Sequence, residues 1–68
     1  MKYYVHTLED AQNDHEVHTE TCFRLPDANN RKELGEFNSC EPAVRAAKNL
    51  GYTRANGCYW CCRDCHTS

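Results

Sequence analysis

Asn56-Gly57-Cys58-Tyr59-Trp60-Cys61-Cys62-Arg63-Asp64-Cys65-His66 is the stretch on which the reading of this chain turns. It holds four of the six cysteines, arranged as two C-x-x-C pairs back to back with a histidine behind them. Two residues between cysteines let one tight turn aim both sulfurs at a single tetrahedral ion. One such pair cannot close a site, so partners must come from elsewhere. His18-Thr19-Glu20-Thr21-Cys22 offers a histidine and a cysteine four positions apart in the first third of the chain.

Zinc takes four ligands in a tetrahedron, with sulfur at about 2.3 Å and imidazole nitrogen at about 2.0–2.1 Å. The predicted set is His18, Cys22 and one C-x-x-C pair. Cys58 and Cys61 are preferred, because Gly57 frees the backbone for a tight turn ahead of them. Cys62 and Cys65 are the alternative pair, with His66 as a further candidate ligand. Mixed sets such as Cys58 with Cys62 stay open, and ligation by Cys22 with three tail cysteines would release His18 to be a solvent-facing strand residue. His6 and His15 have no cysteine at ligand spacing. Cys40 has two readings, a small half-buried residue or a reactive thiolate at a helix N-terminus, where the local field lowers a thiol pKa.

Length explains why a staple is wanted. Sixty-eight residues make a single domain, 1–68. A chain this small buries too little apolar surface to offset its ordering entropy comfortably, and usually carries a metal, disulfides or an oligomer contact. A ligand pair near residue 20 joined to one near residue 60 closes a long loop, where a crosslink constrains most.

The remaining chain reads as α+β: a small antiparallel sheet or hairpin packed on one helix, zinc-stapled and cysteine-rich. Residues 2–8 are aromatic and β-branched and predict a strand, with Tyr3 and Val5 on one face and Tyr4 and His6 on the other. Polar residues 9–14 make a turn, residues 16–19 a second strand, and residues 33–37 a third, with a bulge at Gly35. Ser39 is a good helix cap, and the restriction before proline places the first helical residue at Pro42. Ala43, Val44, Ala47 and Leu50 fall on one stripe, and Gly51 ends the helix in the left-handed position. Residues 52–54 predict a last short strand and 55–57 a turn into Cys58. Tyr59 and Trp60, between the cysteines, are read as packing cover for the site.

This order of elements resembles the small Ada-like zinc modules, found in the methylphosphotriester-sensing domain of Ada and appended to nucleases. The resemblance rests on Glu16-Val17-His18 with Cys22, then Leu34-Gly35-Glu36-Phe37, Ser39 to Leu50, Gly51-Tyr52 and the tail cysteines, and covers about residues 15–65. It implies a zinc-stapled fold, and with it nucleic acid as a partner. A methyl-accepting cysteine would be a zinc ligand, a position that Cys22 matches. The charge does not support nucleic acid, since a net −2 with scattered lysines and arginines leaves no basic face.

The chain therefore reads as a structural zinc module with a binding or accessory role towards a protein partner, and not as an enzyme. A closed site leaves no position for a catalytic water. Two other classes compete: a thiol–disulfide redox or redox-sensing protein, and a disulfide-bonded mini-protein with all six cysteines paired. The N-terminus shows no export signal and no stretch long enough to span a membrane. The expected location is cytoplasmic, where cysteine clusters more often bind metal than form disulfides.

Overall fold

Alternation along the first strand sets the architecture. In β1 (Lys2–His6), Tyr3 and Val5 are buried and their neighbours half-buried, as period-2 patterning requires. β1 is the centre of a computed structural model that describes residues 1–67. It pairs antiparallel with β2 (His15–Thr19) on one side and with β3 (Arg31–Glu36) on the other. Val17 faces Val5 and Thr19 faces Tyr3, so these four share the inner face, while His18 faces Tyr4 on the outer one.

The β1–β3 register slips between Tyr3 and Tyr4, which pair with Gly35 and Glu33. Leu34 is the extra residue, and Gly35 has φ +117°, a conformation that side chains disfavour. The bulge expected at Gly35 is present, and it lets Leu34 pack against the core.

Helix α1 (Cys40–Asn49) starts two residues earlier than the proline argument places it. Pro42 is then the third helical residue, still inside the first turn where its missing N–H costs nothing. Ser39 is the N-cap residue, although its side chain makes no capping bond. The C-terminus follows the pattern: Gly51 has φ +109°, its N–H donates to the Lys48 carbonyl, and the Tyr52 N–H donates to the Ala47 carbonyl. That pair of bonds is a Schellman closure.

The last strand differs in place and direction. β4 is Ala55–Gly57, the residues read as a turn, and it runs parallel to β2 with His15 facing Ala55 and Val17 facing Gly57. The sheet is therefore mixed, in the order β3-β1-β2-β4. A parallel partner needs a long crossover, and α1 supplies it by carrying the chain from the β3 edge to the β4 edge. Buried Asp14 anchors this edge through an ion pair of 2.9 Å with Arg54.

The core under α1 is made of Tyr3, Val5, Val17, Ala43, Ala47, Ala55 and Cys62. Leu8, Phe23, Leu50 and Trp60 remain exposed, so Leu50 does not complete the helix stripe. A disulfide joins Cys40, the first residue of α1, to Cys65 in a 3-10 turn at Arg63–Cys65. It pins the tail to the helix.

Candidate metal centre

Strand β2 brings the first ligand. His18 lies on the sheet face opposite α1, where alternation alone would leave it in water, yet it is 1% exposed. Its cover is the cysteine cluster: one ligand atom each from His18, Cys22, Cys58 and Cys61 falls within a common span of 4.8 Å. The Cys22 and Cys58 sulfurs are 4.0 Å apart. Two sulfurs on one tetrahedral zinc stand about 3.8 Å apart, from bonds of about 2.3 Å. The cluster has the size of such a site.

Each sulfur is met by a backbone donor. The Arg24 N–H donates to Cys22 Sγ at 3.4 Å, the Trp60 N–H to Cys58 Sγ at 3.4 Å, and the Thr19 N–H to Cys61 Sγ at 3.3 Å. Donors of this kind favour the thiolate over the thiol. Two come from the residue two places after the cysteine, the geometry of a tight turn wrapped around its own sulfur. The turn at Cys58 is tied back to the sheet by Cys58 N–H to the Val17 carbonyl at 2.9 Å, and closed by Cys62 N–H to the Cys58 carbonyl at 2.9 Å. Gly57 is needed for closeness, since a Cβ there would meet the Cys62 carbonyl oxygen at 2.6 Å and Cys65 Cβ at 2.7 Å.

The electrostatics suit a neutral imidazole and leave the thiols short of a counter-charge. Burial pushes the His18 pKa down to about 4, helped by the like charges of His6 and Arg24, so the ring is uncharged and able to ligate at neutral pH. Burial raises the Cys22 and Cys58 thiols, which accordingly need a cation to ionise. Among the described residues neither ring nitrogen of His18 has a hydrogen-bond partner. Glu16 Oε1 stands 3.4 Å from Nε2, close enough to interact as a charge but not aligned as an acceptor.

The other tail residues go elsewhere. Cys62 is buried in the core under α1 with its sulfur 3.7 Å from that of Cys61. Cys65 and Cys40 are bonded to each other, so Cys65 has no thiolate for a metal and Cys40 is not a free reactive thiol. His66 Nδ1 is 3.0 Å from the Gly57 carbonyl, and its ring stacks edgewise on Tyr59. Cys22, Cys58, Cys61 and Cys62 are free, which rules out a scaffold with all six cysteines bridged. Tyr59 and Trp60 do not cover the site as inner packing. Both are exposed, with Trp60 set between Tyr59 and Phe23 in an outward aromatic row.

The sequence argument missed the three N–H···S bonds and the bridge. The tight C-x-x-C turn signalled one donor, at Trp60. The bridge had no local signal, because its partners are 25 residues apart. Among the described residues no helix is long and apolar enough to cross a membrane. Comparison with protein-family models, curated proteins and solved structures finds no match.

Proposed function

We propose that this protein is a structural zinc module in which His18, Cys22, Cys58 and Cys61 hold one ion, serving a binding or accessory role for a protein partner. The observation that carries the reading is the convergence of four candidate ligand atoms from two distant segments, 18–22 and 58–61, within 4.8 Å, around a buried histidine with no hydrogen-bond partner among the described residues. A buried imidazole without partners costs free energy, and a metal bond removes that cost. Glu16 lies beside Nε2, which leaves Nδ1 as the nitrogen for the ion, and a rotation of the carboxylate on metal loading would let it accept from Nε2–H as an outer partner.

Four protein ligands leave no open position, so the ion's task is to hold the tail against β2. Three thiolates and a neutral imidazole around a dication give the site a charge of −1, which agrees with the absence of a basic surface and disfavours nucleic acid as the partner. The Ada-like order of elements supports the same ligand set. Four of the six cysteines are free, which suits a reducing compartment, and we place the protein in the cytoplasm on that ground, with Cys40–Cys65 as the one bond that such a compartment would open.

The test is metal loading read by native mass spectrometry and by the absorption of the cobalt-substituted protein. One ion per chain is expected, with thiolate charge-transfer and tetrahedral bands. Cys61→Ser should lose the ion, and Cys62→Ser should keep it. Retention in Cys61→Ser together with loss in Cys62→Ser would move the site to another sulfur set, and no binding at stoichiometric metal would remove the reading altogether.

A further inference from the structure

Between α1 and the 3-10 turn of the tail lies a cleft of about 310 Å³ lined by Glu41, Val44, Arg45, Lys48, Asp64 and Cys65. This is within the range of small-molecule sites, roughly 300–1,000 Å³. Its lining joins three features: one cysteine of the Cys40–Cys65 bridge, an apolar wall at Val44, and charges of both signs. Cys40 and Cys65 are both half-buried, and of the two it is Cys65 that lines the cleft.

We propose that this cleft is a thiol–disulfide exchange site for a small zwitterionic thiol of the amino-acid or peptide class. Lys48 would take the thiol's carboxylate and Asp64 its ammonium group, with Arg45, ion-paired to Glu41, adding to the positive charge of the same wall. Glu41, the other acid of the lining, is already engaged by Arg45 at 3.3 Å, which leaves Lys48 as the cation with no such partner beside it. A purely cationic or purely anionic thiol would meet one unfavourable half of this lining.

The exchange has a defined direction. The incoming thiolate sulfur forms a bond to Cys65 Sγ, the Cys40–Cys65 bond breaks, and its electron pair leaves on Cys40 Sγ, which then takes a proton from water. A second thiol attacks the mixed disulfide, leaving oxidised small thiol and the Cys65 thiol. Cys40 is the better leaving group because it opens α1, where the unpaired N–H groups of the first turn favour a thiolate. Good leaving thiolates speed exchange. Attack at Cys65 is therefore favoured twice, by its place in the cleft lining and by the group it expels.

The test compares reduced glutathione with 2-mercaptoethanol, a neutral thiol, on the whole protein. The reaction is quenched in acid and read by intact mass and peptide mapping. Glutathione should give a single adduct on Cys65, with Cys40 free. In the Arg45→Ala/Lys48→Ala variant, two exposed helix positions that tolerate alanine, the glutathione rate should fall roughly five- to tenfold relative to that of 2-mercaptoethanol. Arg45→Lys/Lys48→Arg should restore the ratio. An unchanged ratio in the alanine variant, or an adduct on Cys40, would overturn the proposal. Bound zinc is followed on an unquenched aliquot by native mass spectrometry at neutral pH, so failure of the metal reading is seen separately.

Discussion

Replacing His18 by leucine should change stability in opposite directions with and without metal. The side chain is 1% exposed, and neither ring nitrogen has a hydrogen-bond partner among the described residues. In the metal-free protein each buried unsatisfied nitrogen costs about 1–3 kcal/mol. Glu16, 3.4 Å from Nε2, relieves part of one of these. Leucine removes both penalties and adds a misfit of about 1–2 kcal/mol, for a net gain of about 1–3 kcal/mol. In the metal-loaded protein the same change deletes one of four ligands. That loss should exceed the 10–100-fold, about 1.4–2.7 kcal/mol, attached to removing a mere outer partner. Urea denaturation in excess chelator and in a slight excess of zinc measures both arms. His18→Leu should be the more stable protein in chelator and the less stable in zinc. A variant weaker than the wild type by the same amount in both conditions would show His18 to be an ordinary packed side chain, and would refute the reasoning.

Three further outcomes follow from the same geometry. Gly57→Ala pushes a Cβ to 2.6 Å from the Cys62 carbonyl oxygen, on a segment fixed by hydrogen bonds and by the bridge at Cys65. It should cost about 1–3 kcal/mol in a urea titration and weaken zinc in a chelator competition, because the displaced segment carries Cys61. Gly51→Ala, which meets no atom but has φ +109°, should destabilise through the backbone alone and leave zinc affinity unchanged. Metal-free stability should also fall in acid. His18 titrates near 4 when folded and near 6.5 when unfolded, so between these values the unfolded chain binds the extra proton. The contribution is complete above about pH 6.5 and is lost as pH falls through 4, about 3 kcal/mol in all. Urea midpoints measured in chelator across this range should lose that slope in His18→Leu.

The residues that make the elements are local, and they were legible as such. Alternation in Tyr3-Tyr4-Val5-His6, the bulge glycine at Gly35 and the stop at Gly51 each act within a few positions, so their chemistry is written in the chain. The four residues that come close enough to hold a metal were legible as candidates for the same reason: two short spacings, His18 with Cys22 and Cys58 with Cys61, each fix a local turn. Which of the overlapping tail pairs turns towards the site depended on the fold. Cys62 follows Cys61 directly, so once Cys61 points to the sheet's outer face its neighbour is sent into the core, and Cys65 comes round to Cys40. The direction of β4 was likewise a tertiary decision, since Ala55-Asn56-Gly57 has no strand propensity of its own and is held by its ladder to β2. Sequence alone thus determined the local turns, caps and ligand spacings. Tertiary structure decided the sheet edge, the bridge and the burial of His18, because each joins residues whose proximity no short-range interaction encodes.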